Sequence, residues 1–211
     1  PGTDFEELGM SFSTPRQAWV RFETDGALNT FNGENVPVPV LIFGGGLYGG
    51  WTDDRSGRVG RDDLSYDVTT DAVDGHDPEG AAFFIVHART GELIWKATWG
   101  VSEGGVSANE YHHDELIHSI PAAVTPIDSD GNGITDRVYV GDTGGNVWRF
   151  ELPEFNPDNT DHGDLREDYW RATKLAELGG SVGSVNDRRF YHGLSIIQGR
   201  DSIGRYDGIA I

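Results

Sequence analysis

Nine consecutive residues hold the best-ordered oxygen-donor pattern in this sequence: Asp128-Ser129-Asp130-Gly131-Asn132-Gly133-Ile134-Thr135-Asp136. Side-chain oxygens recur at positions one, three, five and nine of the run, and glycine stands at position six. That is the spacing of a calcium loop of the EF-hand type, in which alternate residues of a tight turn aim oxygens at one centre. Hard oxygen ligands suit Ca2+, which takes about six to eight of them at ~2.3–2.6 Å. The expected ligands are the side chains of Asp128, Asp130, Asn132 and Asp136, with the backbone carbonyl of Ile134 at position seven, where any side chain serves. Gly133 permits the sharp bend. Position twelve is Tyr139 instead of a bidentate Glu, and residues 137–142 have the pattern of a strand, not a helix. The loop is therefore expected to join two strands and to be closed by position nine. The competing reading is a plain Asp/Asn/Gly turn, a common use of these residues. Three acids and an Asn in register argue against it.

The remaining chemistry-bearing residues are less ordered. The stretch from Asp53 to Asp77 is rich in aspartate but lacks register, with Arg55, Arg58 and Arg61 interleaved. It reads as a solvated insertion between two strands. His112-His113-Asp114-Glu115 offers metal-ligand types, but neighbouring residues of a strand face opposite ways, so two adjacent His rarely share an ion. A surface loop is the expectation there, and a packing or hydrogen-bonding role for His118 and His192. No G-x-S-x-G, H-E-x-x-H or phosphate loop occurs, and Gly44-Gly45-Gly46 follows a strand without opening a helix. An enzyme is not expected.

Composition sets the outer limits. The chain has 211 residues, 35 acidic against 16 basic, for a formal charge of −19, and no cysteine. Disulfides, thiol nucleophiles and cysteine-ligated zinc are excluded. So negative a surface repels nucleic acid and favours cations. No apolar run approaches the roughly 20 residues of a membrane-spanning helix. The chain begins with Pro and stops within a strand-like run, so it is read as an internal piece of a longer protein.

Short β-rich runs punctuated by Gly, Asp and Asn must position the loop: 18–22, 39–43, 82–87, 93–98, 137–141 and 147–152. Residues 170–178 are either a helical turn or a strand. The runs recur in one order, so the fold expected is all-β: a β-propeller of four-stranded antiparallel blades, present as about two and a half blades. Blade one spans about 8–100 with an acidic insertion at 47–80, blade two about 116–178, and blade three starts at about 188–211. A β-sandwich is the alternative.

The run from Ser119 to Leu152, with its D-x-D-x-N-G-x-x-D loop, tyrosine-bearing strand, Gly141-Asp142 and Gly145-Asn146-Val147-Trp148-Arg149-Phe150-Glu151-Leu152, resembles the PilC/PilY-type proteins of type IV pili. Similar segments are Leu8 to Ser13, Ile42 to Gly46 and Thr90 to Trp95. The resemblance implies a modified propeller in an exported, cell-surface protein that regulates pilus extension against retraction, twitching motility and attachment. Its implied partners are pilin or minor pilins and a host or abiotic surface. It assigns Ca2+ to Asp128, Asp130, Asn132, Ile134 and Asp136. Two other propeller classes share single features. The Thr90-Gly91-x-x-x-Trp95 turn is similar to that of quinoprotein dehydrogenases, and the cation loop to that of integrin-like repeats.

Overall fold

The computed structural model describes residues 3–10, 12–22, 30–31, 34–48, 79–107, 109–154, 170–180 and 185–211. The acidic stretch 53–77 lies outside them. Among the described residues, apolar runs such as those at 38–44, 82–87 and 93–99, together with less apolar segments, form fourteen strands: β1 (Arg16–Val20), β2 (Thr30–Phe31), β3 (Glu34–Asn35), β4 (Val38–Gly44), β5 (Ala82–His87), β6 (Leu93–Trp99), β7 (Gly104–Ser107), β8 (Glu110–His113), β9 (Thr125–Ile127), β10 (Arg137–Gly141), β11 (Asn146–Glu151), β12 (Arg171–Glu177), β13 (Ser195–Arg200) and β14 (Arg205–Ala210). A single turn of 3-10 helix, Thr3–Phe5, is the helical element among the described residues.

The strands make a six-stranded sheet in the order β1-β4-β5-β6-β8-β7, a four-stranded sheet β12-β11-β10-β9 and a hairpin β13-β14. A separate small hairpin joins β2 and β3. The four-stranded sheet is antiparallel throughout. Residues 170–178, ambiguous in sequence, resolve as the strand β12.

The second sheet is covered on both faces, so β10 and β11 are buried at most positions. Val138, Val140, Trp148 and Phe150 belong to one buried cluster with Phe83, Ile85, Trp95 and Ala97 of the first sheet. Phe150 stacks on Phe83 with ring centroids 3.8 Å apart. Trp170 meets both Trp95 and Phe22 edge-on, at 5.8 and 5.6 Å. The opposite face of the same sheet contributes Tyr139 and Val147, which pack with Phe190 and Leu194 and with Ile196 and Ile209 of the hairpin. Polar contacts reinforce the stacking: the Ser13 hydroxyl donates to Ala122 O at 2.9 Å, and the Thr125 hydroxyl to Leu194 O at 2.8 Å. Successive twisted sheets packed face to face in this way are the blades of a partial β-propeller, as the repeats suggested.

One region departs from expectation. His112-His113-Asp114-Glu115 is not all loop, because His112 and His113 end β8, which pairs parallel to β6. The first sheet thus carries two strands beyond the four expected. Tyr111 and His113 are the buried alternates of β8. The Tyr111 ring packs toward Trp95, and the His113 ring meets Trp148 edge-on at 4.9 Å.

Candidate metal centre

Strands β9 and β10 pair with Ile127 opposite Arg137, so residues 128–136 close a hairpin. The base is fixed by Asp136 N–H donating to Ile127 O at 3.1 Å. Within the loop, side-chain oxygens organise the backbone. The Asp128 carboxylate accepts the N–H groups of Gly131, Gly133 and Asn132 at 2.6, 2.7 and 3.2 Å. Asp130 accepts from Asn132 N at 3.1 Å, and the Asn132 amide oxygen accepts from Ile134 N at 2.8 Å. Asp136 accepts both the Ser129 N–H, at 3.1 Å, and the Ser129 hydroxyl, at 2.5 Å. Gly133 sits at φ +89°, in the left-handed region where a β-carbon costs about 1–2 kcal/mol. Gly131 does the same at +85°, a requirement the motif alone did not show.

The folding of this loop brings one carboxylate oxygen from each of Asp128, Asp130 and Asp136 within 4.8 Å of the others. Asn132 lies between them in sequence, with its amide nitrogen donating to Asp130 at 3.1 Å. Ile134 turns its side chain into the buried part of the molecule. Burial pushes the Asp128 carboxyl up, but N–H donation from Gly133, Gly131 and Asn132 more than offsets this and holds it below its ordinary value. The donor set is all oxygen, three carboxyl groups and an amide, which fits a hard divalent cation.

Neighbouring sheets hold the loop from two sides. Thr135 N donates to Trp19 O of β1 at 2.7 Å. Asn132 also donates to Glu154, whose carboxylate pairs with Arg21 at 3.1 Å. From the hairpin, Gln198 donates to Asp128 O at 3.3 Å and Arg205 to Ser129 O at 2.9 Å. Sequence reasoning missed Trp19, Glu154, Gln198 and Arg205.

It also left unexplained why Gly141-Asp142 is followed by Asn146-x-Trp148. The Asp142 carboxylate is fully buried in the β10–β11 turn. It accepts Asn146 N at 2.9 Å, Asn146 Nδ2 at 2.8 Å and Trp148 Nε1 at 2.8 Å. Gly144 has no room for a side chain, since a β-carbon there would fall 1.9 Å from His118 Cδ2. His118 is buried beside it, as a packing role requires. Glu103, His113 and Asp114 also bring ligand-type atoms within 4.8 Å. There, however, His113 Nδ1 accepts the Glu115 N–H at 3.1 Å. With its ring on Trp148, His113 is a structural residue.

No family model matches the chain. A segment is 34% identical over 79 residues to the Type IV pilus biogenesis factor PilY1 homolog of Xylella fastidiosa. That segment is 36% of this chain and 5% of the relative, so the chain matches a small part of that protein's length. Among solved structures, the PilY1 C-terminal domain of Pseudomonas aeruginosa matches with a TM-score of 0.50 at 18% identity. The match covers 93% of this chain and 32% of that one, and at such low identity it speaks to the fold. Similarity to PilY1-type proteins thus extends over one segment in sequence and over most of the chain in fold.

Proposed function

We propose that this chain is a calcium-binding propeller segment of a PilY1-like protein associated with type IV pili, and that the 128–136 loop is its regulatory element. The observation that carries the calcium reading is the convergence of Asp128, Asp130 and Asp136 within 4.8 Å on one hairpin turn. The 34% identical segment supports the pilus association. On this reading the protein is exported and cell-surface, works with pilin or minor pilins and is not an enzyme. It tunes pilus extension against retraction, and with it twitching and attachment.

Asp128, Asp130, Asn132 and Asp136 would hold the ion with their side chains, and Ile134 with its backbone carbonyl. Bound Ca2+ supplies positive charge where three carboxylates otherwise repel one another. The chain does the rest. Because the loop is bonded to β1 on one side and to β13–β14 on the other, its order is transmitted to three sheets. An ion that binds only the folded loop stabilises it by mass action, by about 2.7 kcal/mol at one hundred times its Kd.

Calorimetric titration of the chain with Ca2+ is expected to give one site and a raised melting temperature. Asp128→Ala and Asp136→Ala should each weaken binding at least tenfold. Unchanged affinity in both variants rules the site out. Asp136→Lys puts a cation among the remaining carboxylates but cannot accept the Ser129 N–H and hydroxyl, so it should abolish Ca2+ binding and show no rise in melting temperature when Ca2+ is added. In cells, Asp128→Ala in the full-length protein should alter twitching, and normal twitching would remove the regulatory role.

A further inference from the structure

Asn132 is followed by Gly133, and both are exposed to solvent. Glycine puts no side chain between its own nitrogen and the carboxamide of the residue before it. Attack of that nitrogen on the carboxamide closes a five-atom ring, so covalent connection alone brings the two groups within reach. The fold adds the groups around them. The Asn132 amide oxygen accepts the Ile134 N–H at 2.8 Å, which turns the carboxamide back toward the Gly133 nitrogen. The same N–H is aimed at the oxygen on which negative charge gathers when a nucleophile adds to the carbonyl carbon. The Gly133 N–H, whose proton must leave, donates to Asp128 Oδ2 at 2.7 Å. The Asn132 amide nitrogen must gain a proton to depart. It lies against the Asp130 carboxylate at 3.1 Å and against Glu154, both able to relay one. Nucleophile, carbonyl oxygen and leaving group each have a partner of the kind their chemistry needs.

We propose that Asn132 is a self-modification site, whose carboxamide the folded loop converts to a carboxylate with loss of ammonia. The Gly133 nitrogen bonds to Asn132 Cγ and gives its proton to Asp128. The Cγ–Nδ2 bond breaks, and the nitrogen leaves as ammonia with a proton relayed through the neighbouring carboxylates and solvent. Water then opens the cyclic imide. Opening at Cγ leaves an aspartate at position 132, and opening at the main-chain carbonyl leaves an isoaspartate. No electrons are gained or lost. Either product puts a fourth carboxylate into the loop beside Asp128, Asp130 and Asp136. Either also removes the amide donor that ties the loop to Glu154 and, through it, to Arg21. The isoaspartate lengthens the main chain by one carbon next to Gly133, on whose φ of +89° the turn depends. The reaction rests on the loop's hydrogen bonds and needs no cation, so a failed Ca2+ titration leaves it standing.

The test compares the purified chain, incubated with chelator at neutral pH, with a synthetic peptide of residues 125–139, which lacks Glu154 and the packing around the hairpin. Peptide mapping by mass spectrometry follows the exchange of the amide NH2 for OH. It also separates Asn132 from the other Asn-Gly pair of the sequence, Asn32-Gly33. Conversion at Asn132 should run at least about tenfold faster in the folded chain than in the peptide, a modest share of what positioned acid–base groups supply. Asp128→Asn keeps an oxygen for the Gly133 N–H but cannot take its proton, and should bring the rate to within about twofold of the peptide's. A melting curve close to the parent's will show that its fold is kept. If that variant melts lower, the comparison of parent with peptide decides alone. A rate in the folded chain equal to or below the peptide's overturns the proposal, because the hydrogen bonds would then hold the carboxamide away from attack. A well-folded Asp128→Asn variant that reacts as fast as the parent overturns it as well.

Discussion

Asp142→Ala is expected to destabilise the protein by about 3–5 kcal/mol. The substitution strands four buried N–H donors, two from Asn146 and one each from Trp148 and Gly144, that now end on one carboxylate. Each unsatisfied buried polar group costs about 1–3 kcal/mol, and removing one member of a buried polar network is among the few single changes with so large an effect. The Asp142 carbonyl, which accepts from Gly145 N at 3.2 Å and from Phe190 N at 3.0 Å, is retained in the variant, so the loss is that of the carboxylate alone. At about 2–4 °C per kcal/mol for a chain of this size, the melting temperature should fall by roughly 10 °C. A fall of only a degree or two would mean that water or rearrangement satisfies the donors.

The same residue has a pH signature. Burial pushes the Asp142 carboxyl up to about 6, against the opposing pull of the Trp148, Asn146 and Gly144 donors. A carboxyl with a raised folded pKa binds its proton more tightly in the folded state. Its penalty on stability is therefore full above about pH 6 and disappears as pH falls toward 4. Asp142→Asn removes that contribution. Between pH 7 and pH 4.5, the parent should gain stability relative to Asp142→Asn. Parallel pH profiles would show that the carboxylate is as comfortable in the fold as in water.

Phe150→Ala should be comparably severe, also about 3–5 kcal/mol, the usual range for deleting a fully buried aromatic ring. Phe150 is inaccessible to solvent, stacks on Phe83 and meets Trp95 edge-on at 6.4 Å. Its loss opens a cavity between two sheets instead of within one, so denaturant unfolding should lose cooperativity as well as midpoint. Phe150→Leu should recover more than half of the loss. Ile197→Ala makes the contrast: Ile197 is 67% exposed on the hairpin, and its truncation should stay within about 0.5 kcal/mol. Equal effects from the two alanine variants would refute the stacked arrangement.

Some of this was legible from residue order, and the rest required the fold. Strands β10 and β11 announce themselves because they are buried on both faces, and their limits differ from the expected ones by at most a residue. Strand β1 was placed two residues late, drawn by Phe22, which is buried but lies beyond the strand end. Strands β7 and β8 were missed because Gly104, Gly105 and two histidines carry little β propensity. Tertiary packing of Tyr111 and His113 decides that segment instead. The oxygen spacing of the 128–136 loop is local and could be read directly. Its supports could not, since Gln198 and Arg205 stand 70 and 76 positions from the atoms they hold. No pattern within one strand reports that distance.

Among the described residues, the second sheet packs on one face against the first sheet and on the other against the hairpin. A stack of layers that touch only their neighbours behaves as a one-dimensional chain of couplings. Loosening at an outer layer decays with distance along the stack, whereas loosening at the middle layer divides it. Amide exchange should therefore be slowest in β10 and β11 and fastest in β13 and β14. A change at the hairpin can reach the far sheet through Tyr139 and Val147, or through the 128–136 loop and its bond to Trp19.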